Sequence, residues 1–176
     1  MTSNGTEGVA SGEGTRIRAG IVDVLVLAPH RAAPTTGDFT DRWRVLVLRR
    51  GPATRCTGAW EIVHGRIEQG ERPHVAALRE TLEETGLVPE RLYSITVNPF
   101  YLAQTDSVEL AIVFAAIVPG DASPTVADEH DAWEWLSPSE AMSRLAWPRE
   151  RDALAQALSL LAGGDAGPVE DVLRVR

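Results

Sequence analysis

The chain has a single cysteine, Cys56, among 176 residues. One thiol cannot close an internal disulfide, and it cannot supply the paired cysteines of a structural zinc site. Cys56 lies in a loop segment with no partner base nearby in sequence, so it reads as an inert thiol rather than a nucleophile. Four scattered histidines do not restore a zinc site. Long apolar runs are also missing. None approaches the ~20 residues needed to span a bilayer, and the first residues lack the charged-then-apolar pattern of a signal peptide. A cytoplasmic protein without membrane contact is the expectation. Positive charge is in short supply: 17 Lys and Arg stand against 25 Asp and Glu, a formal net charge of −8. With no basic stripe to neutralise a line of phosphates, a nucleic-acid polymer is excluded as a partner. A small phosphorylated metabolite is not, because a bound cation would invert the local field.

What is present suits one globular domain. Apolar residues make up 44% of the chain, enough for a core at this length. Residues 1–15, with four glycines among Ser, Thr and Asn, read as a flexible tail. Residues 16–162 form the expected domain, and 163–176 a second, partly ordered tail. Ile17–Ala28, an apolar run interrupted by Asp23, reads as a strand buried on both faces. Pro29–Asp41 reads as a loop. Trp43–Arg50, Ala59–Val63, Leu92–Leu102, Val108–Val118 and Ala132–Leu136 read as further strands. Ser137–Leu145 opens with an N-cap serine, Pro138 and Glu140, the marks of a capped helix. Pro148–Ala162 is a last amphipathic helix. Strands of hairpin and crossover type interleaved with helices imply a mixed sheet covered on both faces, an α/β class.

The densest chemistry lies in Gly65–Leu87, which holds five glutamates and three arginines in 23 residues. Its second half reads as a helix from Pro73, favoured in a first turn, to a left-handed cap at Gly86. At helical spacing Glu80, Glu83 and Glu84 share one side, with Val75, Leu78 and Leu82 opposite and Ala76 and Ala77 flanking the carboxylates. Three like charges side by side destabilise a helix unless a cation neutralises them, and a hard divalent ion prefers such oxygens. Taken singly, each glutamate reads as part of a solvated face.

The spacing of Gly65, Glu71 and Arg79-Glu80-Thr81-Leu82-Glu83-Glu84-Thr85-Gly86-Leu87 resembles the signature box of the Nudix hydrolases, with every fixed letter in place. Leu87 fits one of its bulky aliphatic positions and Thr81 departs from the other. This resemblance implies a Nudix fold, a mixed β-sheet sandwiched between α-helices. It implies attack of water on a diphosphate joined to some other moiety, with Mg²⁺ or Mn²⁺ as cofactor. Carried over by position, Glu80, Glu83 and Glu84 would be metal ligands, the Gly65 carbonyl a further one, and Arg79 an orienting partner of Glu80. Glu71 would hold the loop, and Glu68 stays a surface residue. The resemblance also implies a homodimer, by family habit alone.

Val63-His64 stands where many nucleotide-cleaving relatives carry Pro-Gly. With Trp60-Glu61, Glu129-His130, Trp135-Leu136 and the run Trp147-Pro148-Arg149-Glu150-Arg151, it is similar to bacterial enzymes hydrolysing dihydroneopterin triphosphate or dATP. On that likeness the expected substrate is a small nucleoside or pterin triphosphate, with diphosphate released. ADP-ribose, a dinucleoside polyphosphate, or a sensor that binds without cleaving are the alternatives. Glu129 would be a further metal ligand or the general base, against the plain reading of a loop glutamate. The base stays divided between Glu80 and Glu129. Trp60, Phe100 and Tyr101 are candidates to stack on a planar ring, or else core aromatics. Arg49 or Arg50 would bind phosphate, or simply end a strand in solvent. His64 sits where a substrate would pass, and His130 reads as structural.

Overall fold

The computed structural model describes residues 14–30 and 42–176. Most of the expected N-terminal tail and of the loop Pro29–Asp41 lies outside the described residues.

Among the described residues, seven strands make one mixed sheet: β1 (Arg16–Pro29), β2 (Trp43–Arg50), β3 (Trp60–Glu61), β4 (Val63–Arg66), β5 (Arg91–Leu102), β6 (Ser107–Ile117) and β7 (His130–Leu136). The main path runs β3-β2-β1-β6-β5, with β4 paired to β1 and β7 to β2. β1 and β6 are parallel, and the remaining pairs are antiparallel. The run Ala59–Val63, expected as one strand, divides. Trp60–Glu61 pairs with β2, whereas Val63 begins a strand against β1. Ile62 lies between the two and is buried.

The pleat of β1 sorts the core. Leu25 and Leu27 point to one face, where they join Val45, Val47, Ile62 and Val113. Val22, Val24, Val26 and Ala28 point to the other, with Leu46, Leu48 and Val63. Helix α1 (Pro73–Thr85) covers the second face. The first is covered by α2 (Pro138–Arg144) and α3 (Pro148–Leu160). The Ser137 side chain and Glu140 close the expected capping box at α2. This is the helix–sheet–helix arrangement that the sequence leads one to expect.

α1 ends as expected at Gly86, in the left-handed region with φ 68°, its N–H donating to Leu82 O. Its orientation is not the one the apolar pattern suggests. Val75 and Leu82 are about half exposed, while Ala76, Ala77, Thr81, Glu84 and Thr85 are buried. The physical reason is closeness. Alanines let the helix backbone approach the sheet, and the two threonines satisfy their own hydroxyls on the carbonyls four residues back. Thr81, the departure from the family pattern, therefore fits its buried place without an unsatisfied donor. The same rotation carries Glu84 inward.

Residues 163–176, expected as a partly ordered tail, are packed against the sheet. A short turn at Gly167–Val169 leads into α4 (Glu170–Leu173), and the last residues run beside β5. Val175 N–H donates to Leu92 O at 2.8 Å, Arg174 bridges to Tyr93, and the Tyr93 hydroxyl donates to Glu170. These bonds to an edge strand, with Ala166 buried in the core, hold the segment in place. No helix among the described residues is long and apolar enough to cross a membrane.

Candidate active site

The candidate centre lies where β4 meets α1. Gly65 faces Glu80 so closely that a Cβ on residue 65 would sit 1.9 Å from the Glu80 carboxyl carbon. Only glycine leaves that space to the carboxylate. Arg79 organises the rest. Its Nε and Nη2 donate to both oxygens of Glu71 at 3.0 and 2.9 Å, a bidentate contact. Its Nη1 donates to Glu80 at 2.8 Å and to Glu83 at 3.0 Å, and its Nη2 also reaches Arg66 O. Hydrogen bonds to Glu71 first, then to Glu80 and Glu83, hold the guanidinium firmly protonated. The same contact keeps the Glu71 carboxyl below the usual range.

Glu84 is the unusual member. Buried, it receives the His64 backbone N–H on Oε1 at 3.3 Å, while Oε2 has no partner. Burial, then the negative charges of Glu80, Glu61 and Glu129, push its pKa up to about 9. Glu83 is exposed, as is Glu129, whose backbone carbonyl accepts from Gly51 N at 2.8 Å. His130 is buried between two carboxylates. Its Nε2 lies 3.3 Å from Glu61, and its Nδ1, without a hydrogen bond, is 3.9 Å from Glu84 Oε2.

Among the described residues, no three His, Cys, Asp or Glu side chains stand in a metal-coordinating arrangement. The reason is visible: Glu80 and Glu83 both turn onto Arg79. A divalent cation nonetheless fits the residues present. The orphaned Glu84 oxygen lacks a positive partner, Gly65 leaves Glu80 its space, and the donors are all oxygens, as a hard cation prefers. Glu80, Glu83 and Glu84, with the Gly65 carbonyl and Glu129, are the residues that would hold it.

The substrate-facing candidates separate. His64 touches this centre through its backbone N–H, while its partly exposed ring lies on the α3 side of the sheet with Nδ1 2.6 Å from Asp23 Oδ1. Trp60 packs on the core, with Arg49 and Arg144 over its ring at 5.8 and 4.8 Å, so its ring is covered by guanidinium groups. Arg49 itself pairs with Asp131 at 2.6 Å. Arg50 pairs with buried Glu61. Tyr101 is exposed at the β5–β6 hairpin, where its hydroxyl donates to Asp106, and none of its contacts reaches the cluster. Phe100 lies under the Arg149 guanidinium.

A second polar group goes unassigned in a reading of motifs alone: Asp23, Glu61, Trp147, Arg149 and Glu150. Burial works to raise the Asp23 carboxyl, but His64 and Arg149 outweigh it and hold it low. Burial likewise opposes the low value of Glu61, which His130, Arg50 and Trp147 maintain. In sequence, Asp23 stood out as a charge inside an apolar strand, while Glu61, Trp147, Arg149 and Glu150 stood in runs that carried a likeness but no role.

A model of the NUDIX domain family matches residues 28–157. The octanoyltransferase of Myxococcus xanthus is 37% identical over 116 residues, which are 65% of this chain but only 32% of that protein. The RNA pyrophosphohydrolase of Dinoroseobacter shibae is 27% identical over 115 residues, 56% of this chain and 71% of its own. The ADP-ribose pyrophosphatase of Bacillus subtilis is 34% identical over 92 residues, 51% of this chain and 48% of its own. Two of these three proteins are thus matched over less than two thirds of their length. Among solved structures, a NUDIX hydrolase of Listeria monocytogenes superposes with a TM-score of 0.67 at 22% identity, covering 84% of this chain and 97% of that one. The dihydroneopterin triphosphate pyrophosphohydrolase of E. coli gives 0.57 at 24% identity, covering 77% and 92%. Identities this low speak for the fold.

Proposed function

The chain belongs to the NUDIX domain family, and from that membership we propose that it is a divalent-metal-dependent pyrophosphohydrolase of a small nucleoside or pterin triphosphate, releasing diphosphate. One observation carries the reading: Glu84 buries a carboxylate oxygen with no partner beside Glu80, at a glycine that leaves room for nothing but that carboxylate. A buried acid in this state wants a cation. Mg²⁺ bound there would neutralise charge on the reacting phosphoryl group and acidify a water.

The chain's own residues would divide the remaining work. Arg79 holds Glu80 and Glu83 in reach of one another, and Glu71 holds Arg79. Glu80 or Glu129 would take the proton from the attacking water. His64, beside Gly65, would meet the substrate. Arg49, through its exposed edge, would meet a phosphate, whereas Trp60 and Tyr101 have less support as stacking residues. The net charge of −8 favours a compact ligand carried in with its metal over a polymer.

The decisive experiment is a hydrolysis panel with Mg²⁺: dihydroneopterin triphosphate, dATP, other nucleoside triphosphates, ADP-ribose and dinucleoside polyphosphates. Diphosphate release from a triphosphate is expected, and Glu83→Gln should lower that rate by about two powers of ten. Turnover of ADP-ribose or a dinucleoside polyphosphate alone would move the substrate class. Tight binding without turnover of any compound would make the protein a sensor.

A further inference from the structure

Asp23 lies in the middle of β1 and is only 1% exposed, yet it accepts two strong hydrogen bonds. Oδ1 lies 2.6 Å from His64 Nδ1, and Oδ2 takes the Nε–H of Arg149 at 3.1 Å. The donors come from separate elements. His64 is on β4, directly opposite Asp23 in the sheet register, and Arg149 is in the first turn of α3. Arg149 is further fixed by the rings of Phe100 and Trp147, at 4.6 and 5.5 Å from its guanidinium carbon. The imidazole keeps 30% of its side chain exposed, and its Nε2 has no protein partner among the described residues. Through its backbone N–H the same residue binds Glu84.

We propose that Asp23 is a positioning residue, which locks His64 as the Nδ1–H tautomer and so presents a bare Nε2 to accept a hydrogen bond from a hydroxyl or ring N–H of the substrate. A carboxylate on one ring nitrogen settles which nitrogen carries the proton of the neutral ring. Arg149 is needed for the lock. It occupies the other Asp23 oxygen and so prevents the carboxylate from turning. The role of Nε2 toward a ligand rests on the proposed hydrolase reading; the tautomer itself does not.

Asp23→Asn tests it with little change in shape. Asparagine has one acceptor oxygen for two donors, and Arg149 cannot surrender its proton. The amide oxygen then goes to Arg149 and the amide NH₂ to His64, forcing Nδ1 to accept. Imidazole ¹⁵N NMR on the full chain at alkaline pH, with His64 assigned by its loss in His64→Gln, should show Nδ1–H in the wild type and Nε2–H in Asp23→Asn. Adding Arg149→Met frees the amide to turn, and the Nδ1–H form should return. On a turned-over triphosphate, Asp23→Asn should raise KM about tenfold, as for one lost hydrogen bond, with kcat nearly unchanged. Nε2–H in the wild-type spectrum overturns the proposal, and that spectrum needs no variant to fold. An unchanged KM beside a switched tautomer overturns the substrate role. If no compound is turned over, the hydrolase reading fails while the spectra still decide the lock.

Discussion

Arg79 does more for the local charge balance than any single glutamate, since it contacts Glu71, Glu80, Glu83 and the Arg66 carbonyl together. Gly65 then decides where Glu80 can lie. In Gly65→Ala the new Cβ would collide with the carboxyl end of Glu80, which is the movable end of a flexible chain. The fold should therefore tolerate the change, while Glu80 is displaced from its place against β4. Activity is expected to fall about 10- to 100-fold, the usual scale for disturbing a metal-site ligand, with the melting temperature almost unchanged. A steady-state assay beside a thermal melt checks this. Full activity in the alanine variant would show that the position of Glu80 does not matter.

At the scale of elements, α3 carries an unusual burden in its first turn. Glu150 is fully buried, Oε2 receives only the long 3.4 Å contact from Ile62 N–H, and Oε1 has no hydrogen bond, with Arg149 Nη2 3.6 Å away. Burial raises its pKa well above the usual 4.5, despite the opposing pull of Arg149. An unfolded glutamate ionises near 4.5 and the folded one only at higher pH, so the folded state holds the extra proton in between. Stability is therefore lost as pH rises from about 4.5 toward the raised folded value. Glu150→Gln removes the ionisation. It should melt with the wild type under mildly acid conditions and above it under alkaline ones. Scanning calorimetry across that range is the check, and parallel curves would mean that Glu150 carries no such penalty.

For the whole molecule, a cation would join parts that otherwise repel. Without metal, Glu84 costs stability at neutral pH because burial and three nearby carboxylates oppose its charge. Glu84→Gln should thus melt at or above the wild type in a chelator. Mg²⁺ at about a hundred times its dissociation constant should stabilise the wild type by about 2.7 kcal/mol, roughly 5 to 10 °C for a chain of this size. The variant should gain much less. Equal Mg²⁺ shifts in both proteins, read by differential scanning fluorimetry, would remove Glu84 from the metal site.

The sequence alone determined the family, the α/β class, and the positions of most helices and strands to within a few residues. These depend on local signals: period-2 and period-3.6 patterning, proline and glycine at helix ends, and fixed gaps between charged residues. Tertiary structure decided what depends on distance across the sheet. It split Ala59–Val63 between two partners, tied residues 163–176 to β5, and turned α1 so that alanines, threonines and Glu84 face inward. It also left Tyr101 apart and joined Asp23 to His64 and Arg149, 41 and 126 residues away along the chain. No local pattern carries such pairings, because a buried charge is tolerable only once its partners arrive from elsewhere in the fold.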